Sequence, residues 1–208
     1  MTLKIKLAFL IETTPAMTDC LEDVTYEIES ILNQTKFYNP EADIQVGCVC
    51  YRDYRDADQL GGESFCSPDE FMKLLEKESL YERSCVASFS RDDVADVAGG
   101  LRLLRTFLNW GDPDIRLIHH FAISPPHGEH FHNSKRNDSF PQGDPNKLNP
   151  LEDMAELSKA NYHYTFHRID SEVDTMLEQF DQVYTGPGQF EVKQLEITAT
   201  YISEPDSQ

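Results

Sequence analysis

KIKLAFLIETTPAMTDCLEDVTYEIESILN, residues 4–33, is the stretch whose reading decides the fold. Its opening residues end in the continuous apolar run Leu7–Ile11, the pattern of a strand buried on both faces. From Pro15 to about Asn33 the apolar residues Met17, Leu21, Val24, Ile28 and Ile31 recur at steps of three and four. Asp19, Glu22, Asp23, Glu27 and Glu29 fall largely off that stripe, which predicts an amphipathic helix. Pro15 suits a first helical turn, where no backbone donor is required.

Outward from this unit the alternation continues. Ile44–Tyr51 reads as a strand, and the polar loop 52–64 with Gly61-Gly62 leads to a short edge strand near Phe65. Ser67 caps and Pro68 starts a helix that buries Phe71, Leu74 and Leu75. A further helix is predicted from about Asp92 to Leu108, with Val94, Val97, Ala98, Leu101, Leu104 and Leu108 on one side. Gly99-Gly100 in its middle costs about 1 kcal/mol per glycine relative to alanine and marks close approach of another backbone. Ile115–Ile123 is the next strand, followed by an irregular His- and Pro-rich segment, 124–149, too long for a simple connection. Asn149 then caps a helix to about Ala160, Tyr162–Ile169 forms a strand, Asp170 or Ser171 caps a helix to Phe180, and Phe190–Ile202 is the last strand. The expected fold class is α/β: a Rossmann-like, doubly wound, mostly parallel sheet with helices on both faces and one short antiparallel edge strand. One domain over residues 1–208 is the simplest organisation.

Acidic residues number 37 against 18 Lys and Arg, a formal charge of −19. A phosphate backbone or anionic membrane would be repelled over most of this surface, so neither is an expected partner. A cationic protein surface or a metal ion suits the field better, although acidity also serves solubility. Residues 1–11 read as a strand and not a signal peptide, and no stretch reaches the length of a membrane span. Five cysteines, Cys20, Cys48, Cys50, Cys66 and Cys85, form an odd set without paired spacing, which points to reduced thiols in the cytoplasm. Cys48 and Cys50 lie at strand spacing and read as packing residues of one face.

In open parallel sheets ligands bind at the carboxyl ends of the strands, where strand order reverses. With the first strand central, the turn Glu12-Thr13-Thr14 belongs beside the turns leaving Tyr51 and Ile123. The residues at this edge carry a resemblance: FLIETTPAM at 9–17, VGCVCYRDYRDAD at 46–58, SRDDVADVAGGLRLL at 90–104, and FAISPPHGEHFH with FPQGDP between 121 and 145. Together they resemble a von Willebrand factor A-type domain of the variety attached to α-kinases, here without the kinase domain. The resemblance implies a metal-ion-dependent adhesion site at the carboxyl edge, holding Mg²⁺ through oxygens. Where the family reads Asp-x-Ser/Thr-x-Ser, this chain has Glu12, Thr14 and Ala16; where a further acid ends the fourth central strand, it has Ile123. Asp92 and Asp93 fall where a Thr or Asp normally reaches the metal, after Ser88-Phe89-Ser90-Arg91. Glu12, Thr14, Asp92 and Asp93 are thus a degenerate ion set, implying no cofactor or weakly bound Mg²⁺. Arg91 is expected to stand in for the cation and balance Glu12, with Asp53 as an acid behind the ion edge.

An enzymatic alternative starts from His127, Glu129, His130 and His132, since imidazole with carboxylate is a zinc ligand set. His127, His130 and His132 are its ligands in a metal-dependent hydrolase. His119 and His120, by contrast, sit inside a strand, face opposite sides and cannot share a site. No Gly-x-Ser-x-Gly elbow, catalytic-thiol context or phosphate-binding glycine loop is present. Trp110 reads as a packing anchor at a helix end. The leading expectation is a non-enzymatic protein-binding module contacting its partner through loops 12–16, 52–64, 87–93 and 124–149; regulation of an α-kinase encoded elsewhere is a third reading.

Overall fold

The computed structural model describes residues 2–77, 80, 92–132 and 135–198. Six strands form one sheet: β1 (Lys4–Glu12), β2 (Asp43–Tyr51), β3 (Leu60–Cys66), β4 (Ile115–Ala122), β5 (His163–Arg168) and β6 (Gln189–Gln194). Their order is β3-β2-β1-β4-β5-β6, and every pairing is parallel except β2 with β3. β1 is therefore central, and the chain leaves β1, β2, β4 and β5 at the same edge of the sheet.

Alternation along the strands divides the core. Leu7, Phe9 and Ile11 of β1, with Val46, Cys48 and Cys50 of β2, pack under α1 (Leu21–Tyr38) and α2 (Pro68–Lys77). Ala8 and Leu10, with Val49 and Tyr51, face the opposite layer of α3 (Val97–Thr106), α4 (Pro150–Lys159) and α5 (Asp174–Val183). Cys48 and Cys50 share one face, and both are buried there. Helices thus cover both faces, as strands of this apolar density require.

The helix ends follow local chemistry, with informative departures. Residues 15–20 wind as a tight 3-10 turn before α1 begins at Leu21. Ser67 and Glu70 form a reciprocal capping box: Ser67 Oγ accepts from the Glu70 N–H at 3.3 Å, and the Ser67 N–H donates to Glu70 at 3.1 Å. Leu74, expected inside, is 36% exposed, while Phe71 is fully buried. Asn149 caps α4 and Asp170 caps the turn before α5. The helix expected from Asp92 starts only at Val97, because Asp96 is its cap, accepting from the Gly99 N–H at 2.7 Å. The last strand ends at Gln194; residues 199–202 of its expected span lie outside the described residues.

Gly99 and Gly100 do mark close approach, but by side chains. A Cβ at Gly99 would stand 2.1 Å from the Asp96 carboxylate, and one at Gly100 would stand 2.8 Å from the Tyr51 ring. Trp110 anchors the end of α3 as expected: its indole N–H donates to the Leu104 carbonyl at 3.0 Å, and Phe65 and Tyr162 pack edge-on against it.

His119 and His120 point to opposite layers. His120 lies between the hydroxyls of Tyr51 and Tyr164, each 2.7 Å away, and His119 contacts His167 at 2.8 Å. Burial pushes all three imidazoles down to about 3, with Lys193 adding to the effect on His119 and with His119 and Lys193 adding to it on His167.

Two outcomes are expected. Because these folded-state values lie below the ordinary imidazole value, the neutral histidines contribute stability above about pH 6.5 that is lost as pH falls toward 3. Asp96, raised by burial to about 6, takes up a proton in the folded state and offsets only part of that loss. The urea midpoint should therefore drop between pH 7 and pH 5; a flat or rising midpoint would contradict the buried neutral assignment. Gly100→Ala should lower stability by about 1–2 kcal/mol in the same assay, overpacking against Tyr51 outweighing the gain in helix propensity.

Candidate functional site at the carboxyl edge

The last residue of β1 decides this edge. Glu12 is fully buried, and its carboxylate accepts four hydrogen bonds. One oxygen receives the backbone N–H groups of Ile123 at 3.0 Å and Ser124 at 2.9 Å; the other receives the hydroxyls of Thr14 and Ser124, both at 2.6 Å. The Thr13 N–H donates to the Tyr51 carbonyl at 2.9 Å, so the exits of β1, β2 and β4 are tied together. These are the three turns expected at one rim. Both Glu12 oxygens are occupied by protein donors, and Ala16 and Ile123 offer no side-chain oxygen beside it. The residues present therefore do not fit the octahedral oxygen cage that Mg²⁺ demands at the position implied by the resemblance.

Above Glu12 lies a depression lined by Thr14, Asp53, Asp92, Asp93, Ile123 and Ser124, with Arg136, Asp170 and Glu172 at its side. Thr14, Asp92 and Asp93 thus meet at this depression, while Glu12 sits beneath it. Residues 92–96 are not helical because their backbone is used elsewhere. The Asp93 N–H donates to the Asn137 carbonyl at 2.8 Å, the Ala95 N–H to Pro125 at 3.0 Å and the Asp96 N–H to Arg52 at 2.9 Å. The Asp93 carboxylate accepts from the Asn137 N–H, and Asp92 accepts from the Ser139 N–H and hydroxyl at 3.2 and 2.8 Å. The acidic pair consequently holds the long loop against the sheet edge. Arg91, expected as a cation substitute, lies outside the described residues, as do Cys85 and residues 87–90 of the expected contact loop.

Two histidines of that loop converge on one acid. His127 places Nδ1 2.7 Å from Asp138 and Nε2 2.7 Å from Asp53, and His132 Nε2 lies 3.0 Å from the other Asp138 oxygen. Asp138 also accepts the backbone N–H groups of Gly128 and Phe140, each at 2.8 Å. Against the cost of burial, the hydrogen bonds from His127, Gly128, His132 and Phe140 pull its carboxyl down to about 2. Burial would lower His127, but its hydrogen bonds to Asp53 and Asp138 prevail and hold it above the ordinary imidazole value. His130 is exposed and stacks on Phe131. Among the described residues, the donors that gather within ligand reach are Asp53, Asp92 and His127, with ligand atoms within 4.8 Å of one another. His130 and His132 do not belong to that group; His132 is occupied at Asp138 instead.

Reasoning from residue types missed Asp138 and Ser124. Asp138 sits in the plain string Asn137-Asp138-Ser139, and only its spacing from the histidines hinted at a role. Tyr54 was also missed: its hydroxyl donates to Asp96 at 2.9 Å and contacts Asp144, pinning the far end of the loop.

Glu12→Gln tests the edge assignment. An amide presents two N–H groups to a site made only of donors, so at least one buried pairing is lost, and stability should fall by about 1–3 kcal/mol in urea unfolding. A change within a few tenths of a kcal/mol would show that the four contacts do not hold the edge.

No family model matches the chain. It is 26% identical over 179 residues to the α-protein kinase vwkA of Dictyostelium discoideum, covering 86% of this chain and 27% of that protein. The chain thus spans about a quarter of that relative's length. Among solved structures it is similar to the pilus adhesin SpaC of Lactobacillus rhamnosus GG in its open conformation, at TM-score 0.59 and 10% identity over 92% of this chain and 28% of that one. It is also similar to the minor pilin PilB of Streptococcus sanguinis (D319A mutant), at TM-score 0.62 and 10% identity over 93% and 57% of the two chains. Proximal thread matrix protein 1 of the mussel byssus, with a zinc-occupied MIDAS motif, matches at TM-score 0.56 and 8% identity over 94% and 42%. The chain has a von Willebrand factor A-like fold, and its sequence is similar to part of an α-protein kinase.

Proposed function

We propose that this chain is a protein-interaction module in which the carboxyl-edge loops form the contact surface. The observation that carries the reading is the depression itself: four strand exits meet there, and its lining is built from side chains without an assembled catalytic set. Among the described lining residues the acids, Asp53, Asp56, Asp92, Asp93, Asp170 and Glu172, outnumber the arginine Arg136, which is paired with Glu172. A partner presenting Lys or Arg suits this field, and nucleic acid or an anionic membrane does not. The structural neighbours are adhesion and matrix proteins, which supports a binding role over an enzymatic one. Residues 1–208 are read as one such domain. Thr14, Asp92 and Asp93 contribute to the contact surface, and Glu12 shapes it from below. Cytoplasmic placement is supported by the odd set of five cysteines without paired spacing; no helix among the described residues is long and apolar enough to cross a membrane.

A second reading, regulation of an α-kinase, is favoured by the similarity to vwkA. Both readings are tested by quantitative affinity capture with an α-kinase included among the candidate partners. The double charge reversal Asp93→Lys with Glu172→Lys should reduce capture of a specific partner at least tenfold. Glu41→Lys and Asp112→Lys, at the opposite edge, should leave it unchanged. Capture insensitive to the first variant and lost in the second would place the contact surface elsewhere.

A further inference from the structure

Two carboxylates address the two nitrogens of one buried imidazole, and this carries a consequence beyond protein binding. The side chains of His127, Asp53 and Asp138 are 1%, 3% and 2% exposed. A neutral imidazole has one N–H. If Asp138 receives it at Nδ1, the Nε2 lone pair faces the Asp53 oxygen 2.7 Å away, a contact that repels unless a cation lies between them. Either a second proton or a metal ion satisfies that requirement. Asp92 brings a third ligand atom within 4.8 Å of the other two.

We infer that Asp53, Asp92 and His127 form a site for one transition-metal ion of the zinc class, a ligand set that shares Asp92 with the implied adhesion site but leaves out Glu12 and Thr14. The ligand types select the metal: one imidazole with two carboxylates suits zinc and its neighbours, whereas Mg²⁺ requires more oxygens in stricter geometry. Tetrahedral zinc bonds of about 2.0–2.2 Å set ligand atoms roughly 3.3 Å apart, so Asp53 and His127 Nε2, now 2.7 Å apart, open slightly to admit the ion while Asp92 completes the set. Asp138 is the positioning residue. By accepting the Nδ1 proton while held by the Gly128 and Phe140 N–H groups, it fixes the tautomer that directs Nε2 to the ion. Ser139 orients Asp92 in the same way through its N–H and hydroxyl. Three protein ligands leave a coordination position for water or for a carboxylate from another molecule. The site stands independently of the protein-contact reading, because its test reads metal and not partner capture.

The experiment is zinc binding to the whole chain, stripped with chelator, by competition with a chromophoric chelator and by elemental analysis after dialysis. One equivalent of zinc per chain is expected, with micromolar or tighter affinity, and Co²⁺ in its place should give the visible absorption of a low-symmetry site. His127→Gln and Asp92→Asn should abolish stoichiometric uptake; Asp92 is only half-buried, so its variant reports even if His127→Gln fails to fold. Asp138→Asn should weaken affinity about 10–100-fold while leaving the stoichiometry at one when zinc is in excess. His130→Ala should bind as the parent does. Uptake of no zinc, uptake unaffected by Asp92→Asn, or uptake lost in His130→Ala would each overturn the assignment.

Discussion

The carboxylate of Glu12 is the constraint on which the edge of this sheet depends. A buried carboxylate is tolerable only when its lone pairs are filled, and here two backbone N–H groups and two hydroxyls fill them. One methylene longer than aspartate, the side chain reaches from the end of β1 to the exit of β4. It closes by protein–protein hydrogen bonds a gap that a cation and its oxygens would otherwise bridge. Ala16 and Ile123 then become understandable as neighbours of a staple: neither side chain offers an oxygen to a cation.

Charge at the rim follows from that exchange. With the Glu12 oxygens occupied by hydrogen bonds, the remaining acids serve the long loop, which is fastened by Asp92 to Ser139, by Asp93 to Asn137 and by Asp138 to His127 and His132. This loop is irregular in path but not loosely attached, since its backbone is repeatedly paired with residues 92–95 and Asp138 is paired within the loop itself. On the inference above, it is the space between Asp53 and His127, and not the carboxyl end of β1, that calls for a cation. That placement links the acidic surface field, the unusual imidazole and the capacity for a softer metal in one physical chain.

Much of the fold was legible because periodicity reports burial directly. The stripe Leu21, Val24, Ile28 and Ile31 lies inside as its spacing requires, and the alternation of β1 and β2 assigned Cys48 and Cys50 to one face. His119 and His120 separated onto opposite layers by the same rule of two. The start of α3 was misplaced by five residues because Asp92–Asp96 is as compatible with a helix as with the extended clamp it forms; long-range pairing with Pro125 and Asn137 decides between them. The glycine pair signalled proximity without revealing that Tyr51 and Asp96 side chains were the neighbours. Asp138 was invisible for a related reason: a loop aspartate declares its role only when residues ten and eleven positions away, Gly128 and His127, are brought back to it. Glu12 was recognisable as a departure from an aspartate pattern, but three of its four hydrogen bonds come from Ile123 and Ser124, more than a hundred positions away.

The most direct test of the central claim is a crystal structure with separate Mn²⁺ and Zn²⁺ soaks, read by anomalous scattering at each metal's edge. Expected are no manganese peak beside Glu12 and Thr14, with the Glu12 carboxylate still on the Ile123 and Ser124 N–H groups, and a zinc peak between Asp53, Asp92 and His127. A manganese peak coordinated by Glu12 or Thr14 would contradict the claim that hydrogen bonding has replaced the ion at this edge.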